Sequence, residues 1–127
     1  MKIRIIDSDA QKCKITRQIL ESLPDWFGIP EAIDEYVTES KGKLFFCAYH
    51  DERPIGFLYL KETGRHTVEL AVMGILKEHH RCGIGRKLFK EALRAAKQNG
   101  YLFMQVKTVQ MGRYDVYDGT NKFYLSL

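Results

Sequence analysis

Charged and apolar residues alternate at the amino terminus. In "KIRII", Lys2 to Ile6, the isoleucines at 3 and 5 alternate with basic residues, the two-residue period of a strand with one buried face. The period then lengthens. Ser8 stands three residues before Gln11, a capping box in which the hydroxyl accepts from the Gln11 backbone, and a helix follows with Ile15 and Ile19 on its inner face. Pro24, Gly28 and Pro30 break that helix and bracket Trp26 and Phe27 in a loop. Pro30 can open a second helix carrying Ile33, Tyr36 and Val37 on one side.

"LFFCAY" and "IGFLYL" read as the two strands of an antiparallel hairpin around "HDERP", and "TVELAVMGI" as a third strand. From Ile84 the apolar positions Leu88, Ala92, Leu93 and Ala96 keep helical spacing as far as Asn99-Gly100, a C-terminal stop signal. "YLFMQVKTV" is a further strand, with Met104, Val106 and Thr108 on one face, and "DGTNKFYLSL" begins what reads as a last helix. The order strand, two helices, three strands, helix, strand, helix predicts an α/β fold: a mixed, mostly antiparallel central sheet flanked by helices.

Composition narrows the class. A chain of 127 residues, 45% hydrophobic, buries one sizeable core, so residues 1–127 are expected to form a single domain. Lys and Arg number 20 against 16 acidic residues, and the excess of +4 reads as scattered along the chain, which slightly favours anionic partners but is usually only a solvated surface and decides little. Cys13, Cys47 and Cys82 are odd in number and far apart, so neither a disulfide framework nor a zinc ribbon is indicated and the cytoplasm is the expected compartment. No signal-peptide pattern opens the chain, and its longest nonpolar run, Leu70 to Leu76, falls well short of the ~20 residues that span a bilayer. No membrane partner is expected.

The chemistry concentrates in "MGILKEHHRCGIGRKLF", Met73 to Phe89: a strand end, a short polar loop, then a helix starting near Gly83 to Gly85. The first N–H groups of a helix lack intrahelical partners and carry the positive end of its dipole, which suits a phosphate. Glycines at 83 and 85 keep side chains off that backbone, while Arg81 and Arg86 flank it. The same two glycines also serve a plain tight turn. A dinucleotide fingerprint is excluded because Leu88 stands where its third glycine belongs, and no P-loop spacing occurs. His79 and His80 could face one ion, but no nearby residues complete a ligand set, and His50 and His66 are remote in sequence; no metal is expected. Cys82, at a helix start, could have a lowered pKa, though no base for it is evident.

"HRCGIG" resembles the acetyl-CoA motif of the GNAT superfamily of N-acetyltransferases, [RQ]-x-x-G-x-[GA] at a helix start after a strand, with His80 in the Arg/Gln place. The element order resembles that family from Lys2 to Leu127. The resemblance implies acetyl-CoA as co-substrate and acetyl transfer to an amine by direct attack. It implies that the strand end Met73, Gly74 and Ile75 parts from its neighbour and hydrogen-bonds the pantetheine arm. The pyrophosphate would then meet His80, Arg81, Cys82, Gly83, Ile84, Gly85 and Arg86, mostly through backbone amides.

Deprotonating an ammonium and protonating a leaving thiolate call for a base and an acid. By resemblance Glu69 holds the place of the base and Tyr124, on the last helix, that of the acid. A buried Glu69 would have the raised pKa a base needs, whereas a Glu69 facing solvent or paired with Arg65 would not. Tyr124 could equally pack with Phe123, and Trp26 and Phe27 could wall the acceptor site or staple the loop to the core. The family's last two strands are missing from the pattern. That would leave "YLFMQVKTV" as an open edge able to pair with a second copy, a homodimer through the sheet. A small-molecule or peptide amine is the expected acceptor. A chain that binds acetyl-CoA without turnover is the alternative; a small basic nucleic-acid-binding protein is the distant one.

Overall fold

The computed structural model describes residues 1–108 and 119–125. Strand β1 (Lys2–Ile6) is followed by helices α1 (Asp9–Glu21) and α2 (Pro30–Glu39), strands β2 (Leu44–His50), β3 (Arg53–Gly64) and β4 (Thr67–Ile75), helix α3 (Ile84–Gln98) and strands β5 (Phe103–Thr108) and β6 (Gly119–Tyr124). The six strands form one sheet in chain order, antiparallel throughout except for the parallel pair β4 and β5, which α3 connects.

Local signals set the helix starts. The Ser8 hydroxyl accepts from the Gln11 N–H at 3.3 Å and caps α1. Pro30 opens α2 in its first turn. Ile15, Ile19 and Leu20 of α1 and Ile33 of α2 are buried against the sheet. On that face Phe45, Phe57 and Tyr59 stack with ring centroids 5.4 and 5.9 Å apart from Phe45, and the Tyr59 hydroxyl donates to the Tyr36 carbonyl at 2.8 Å. Burial of Tyr59 holds its phenol well above the ordinary tyrosine range, so it stays a donor and ties α2 to the sheet. Helix α3 covers the other face with Ile84, Leu88, Ala92, Ala95 and Ala96.

Three expectations are corrected here. The tail expected to be helical forms β6, paired from Phe103–Tyr124 to Thr108–Gly119 along β5. A helix of about ten residues is marginal without a docking partner, whereas the unpaired edge of β5 offers a full ladder to the same residues. The edge expected to be open for a second copy is therefore already paired, which removes the reason for a dimer through β5. The positive charge is also not scattered: α3 alone carries Arg86, Lys87, Lys90, Arg94 and Lys97 against Glu91.

Gly74 lies where α1 packs closely on the sheet. A methyl group there would stand 3.0 Å from Phe57, 3.1 Å from Ile19 and 3.2 Å from Leu20. Packed neighbours of this kind yield only by distortion. Gly74→Val is expected to destabilise the chain by about 2 kcal/mol or more in urea unfolding monitored by circular dichroism.

Candidate acyl-coenzyme site

β4 is a strand with two halves. Thr67 to Leu70 pair in parallel with Phe103 to Val106; among the described residues the ladder ends there. Ala71 to Ile75 continue on β3 alone. The register on β3 skips Ala71, since Leu60 faces Leu70 and Tyr59 faces Val72. That bulge turns Val72 and Gly74 toward α1 and Met73 and Ile75 toward α3. Glu69, opposite Lys61 and Gln105, is one rung below the last closed pair, so it lies at the fork where the two strands part. It is half-buried and shares the face of Tyr59 and α2. Tyr59 and Lys61 reach α2 at Tyr36 and, over 3.1 Å, Glu39.

Beyond Ile75 a short 3-10 turn, Lys77–His79, leads to the glycine turn. Arg81 is left-handed at φ 65° and Gly83 at φ 77°. A side chain at Gly83 would find open space, so the torsion rather than a clash calls for glycine. Gly83 is the N-cap of α3 and offers no side-chain oxygen to the first turn. The ladder of α3 opens with the Lys87 N–H donating to the Gly83 carbonyl at 3.1 Å, which leaves the N–H groups of Ile84, Gly85 and Arg86 ahead of it. The Met73 sulfur lies 3.8 Å from where a Gly85 side chain would begin, so the open half of β4 and the start of α3 are in contact. Arg81, Cys82, Gly83 and Arg86 are exposed, and Ile84 is buried.

The two histidines diverge. His80 Nε2 is 2.7 Å from the Ile75 carbonyl oxygen, and its ring meets Trp26 edge-on at 5.3 Å between centroids. His79 instead faces His50, 6.1 Å away between centroids. His50 was remote in sequence; the β2–β3 hairpin carries it to this end of the sheet. Among the described residues no three His, Cys, Asp or Glu side chains stand close enough to hold a metal ion. The Cys82 sulfur lies 3.7 Å from the His80 carbonyl, whereas Cys47 is fully buried and burial pushes its thiol up to about 12. A cleft of about 450 Å³ lined by Leu44, Leu60, Val68, Asn99 and Tyr101 lies at the other end of α3, away from the glycine turn.

Tyr124 closes β6 opposite Phe103, three rungs below the last β4–β5 pair and on a strand instead of a helix. The description of this stretch covers its backbone; the Tyr124 side chain lies outside it.

A parallel pair that parts above a carboxylate and leads into a left-handed glycine turn at a helix start has a counterpart in sequence: residues 7–118 match the profile of the acetyltransferase (GNAT) family. The chain belongs to that family. Its fold is shared with solved members. The PaiA N-acetyltransferase from Thermoplasma acidophilum, solved in complex with coenzyme A, is 22% identical with a TM-score of 0.67 over 88% of this chain and 83% of its own. The IAA acetyltransferase from Bacillus cereus is 24% identical with a TM-score of 0.67 over 87% and 67%. The aminoglycoside 6'-N-acetyltransferase from Enterococcus faecium is 18% identical with a TM-score of 0.71 over 85% and 62%. At these identities the likeness is one of fold.

Sequence alone missed the bulge at Ala71 and the joint between Trp26, His80 and Ile75. An apolar run such as "LAVMGI" gives no sign of which residue is skipped. A histidine in the Arg/Gln place was the available signal for the joint. His80→Leu removes both its contacts and is expected to lower stability by about 1–2 kcal/mol in thermal unfolding, with Trp26 fluorescence shifting to the red as the indole loses its cover.

Proposed function

We propose that this GNAT-family acetyltransferase takes its acetyl group from acetyl-CoA and passes it to a primary amine by direct attack. The observation that carries the reading is the open half of β4, Ala71 to Ile75, in contact with the start of α3 and leading through the glycine turn to its first amides, which lie ahead of the helix's ladder. An extended amide-bearing arm fits the first, and a pyrophosphate the second, with Arg81 and Arg86 at its sides. The thioester supplies an activated acyl group. The pantetheine arm, laid along this edge toward the fork, brings that end to the neighbourhood of Glu69.

In this reading Glu69 takes the proton of the incoming ammonium, directly or through a water, and backbone N–H groups at the Ala71 bulge face the developing oxyanion. His80 acts differently from an arginine or glutamine in its place. Its ring is committed to Ile75 and Trp26, so it shapes the turn, while the backbone amides and the arginines hold the phosphates. Tyr124 stays the candidate acid from the resemblance, now on β6, where its Cα stands two strand spacings, about 10 Å, from β4.

The test is calorimetric titration with acetyl-CoA, desulfo-CoA and ADP. Micromolar binding of acetyl-CoA, with ADP weaker, is expected; a folded chain that binds none of the three overturns the reading. With an amine acceptor in hand, Glu69→Gln is expected to lower kcat at least about tenfold at unchanged coenzyme affinity. Tyr124→Phe should do the same if the phenol is the acid; unchanged turnover leaves the thiolate to take its proton from water. Binding of acetyl-CoA without turnover of any primary amine would favour the second reading, a coenzyme-binding domain.

A further inference from the structure

Helix α3 carries five cations and one carboxylate, a net charge of +4. The whole chain is also +4, so everything outside α3 is neutral in sum. At 3.6 residues per turn Arg86, Lys87, Lys90, Arg94 and Lys97 fall within an arc of about 100°, and no other residue of the helix falls inside it. All five are exposed, on the side away from Leu88, Ala92 and Ala95. Glu91 stands just outside the arc and pairs with Arg94 at 3.3 Å.

This pattern works against the helix that bears it. Arg86 and Lys90, and Lys90 and Arg94, are four residues apart; Lys87 and Lys90, and Arg94 and Lys97, are three apart. Like charges at those spacings repel. Arg86 and Lys87 lie near the positive end of the helix dipole, and the first turn holds no acidic residue to offset it. A face shaped only for solubility would mix the signs. A polyanion laid along it converts each repulsion into a shared attraction.

We propose that the solvent face of α3 binds the phosphodiester backbone of a nucleic acid. Arg86, Lys90 and Arg94 succeed one another at about 6 Å along the helix axis, and the row reaches about 16 Å to Lys97, a track for a chain of phosphates. The coenzyme's pyrophosphate is met at the first turn; Lys90, Arg94 and Lys97 lie beyond it. No apolar side chain falls inside the arc. A protein partner would need an apolar centre there, and a membrane surface would need apolar residues to insert. Among the described residues the large exposed apolar ones, Met1, Ile5 and Ile29, lie outside α3. Phosphate contacts from cations alone are the ordinary means of sequence-independent nucleic-acid binding.

The test is fluorescence anisotropy of a labelled RNA of about 20 nucleotides, and of DNA of the same sequence, titrated with the intact chain from about 50 to 200 mM KCl. Binding that weakens steeply with salt is expected. Lys90→Gln/Arg94→Gln/Lys97→Gln should weaken it at least tenfold and flatten the plot of log K against log salt by about 2, since each phosphate contact on a single strand counts about 0.7. Lys90→Arg/Lys97→Arg should retain binding. Unchanged acetyl-CoA titration of the glutamine variant reports that its fold is intact. Equal binding of nucleic acid by the glutamine variant and the unsubstituted chain overturns the proposal. So does failure of the unsubstituted chain to bind either nucleic acid, including the case in which polyglutamate or phosphatidylglycerol vesicles are retained through these residues instead.

Discussion

Parallel strands β4 and β5 share four rungs and then part, and the proposed coenzyme site is built around that parting. A backbone edge inside a sheet is normally satisfied by its neighbour, and leaving Val72 to Ile75 paired on one side only has to be stabilised elsewhere. Here β3 holds Val72 to Ile75 from one side, α1 packs on Gly74, and Met73 rests against the start of α3. The fork is thus held by β3, α1 and the start of α3 without being closed. Its floor is the rung carrying Leu70 and Val106, with Glu69 directly beneath, so the proposed base sits where strand pairing stops.

The glycine turn depends on the same arrangement. Ile75 ends β4 under the His80 ring, the chain turns through left-handed Arg81 and Gly83, and α3 begins with three amides ahead of its first ladder bond. A side chain at Gly83 would clash with nothing; the constraint is torsional, which is why a glycine stands there although space is abundant. Concentrating cations on the helix that starts at this turn extends the positive field of the amides along the whole outer face of α3.

Much of the fold was legible because its signals are local. Ser8 and Pro30 mark helix starts, Asn99-Gly100 a stop, and "TVELAVMGI" spans the observed β4 to the residue. The turn at Gly83 followed from the chemistry of any helix start. The tail was not legible, since "GTNKFY" has no period long enough to choose between helix and strand, and pairing with β5 decides it. The Ala71 bulge is a property of two strands in register, not of one sequence. The basic face of α3 was legible in principle: a sum over 127 residues hides a charge that a helical period displays.

The joint of Trp26, His80 and Ile75 has a consequence for how this sequence can vary. The indole in the α1–α2 loop covers an imidazole whose other edge is fixed on the end of β4. The two residues therefore form one unit across 54 positions of chain. An arginine or glutamine at 80 would extend toward solvent and leave the indole without its partner, so positions 26 and 80 are expected to change together in descent, one substitution licensing the other.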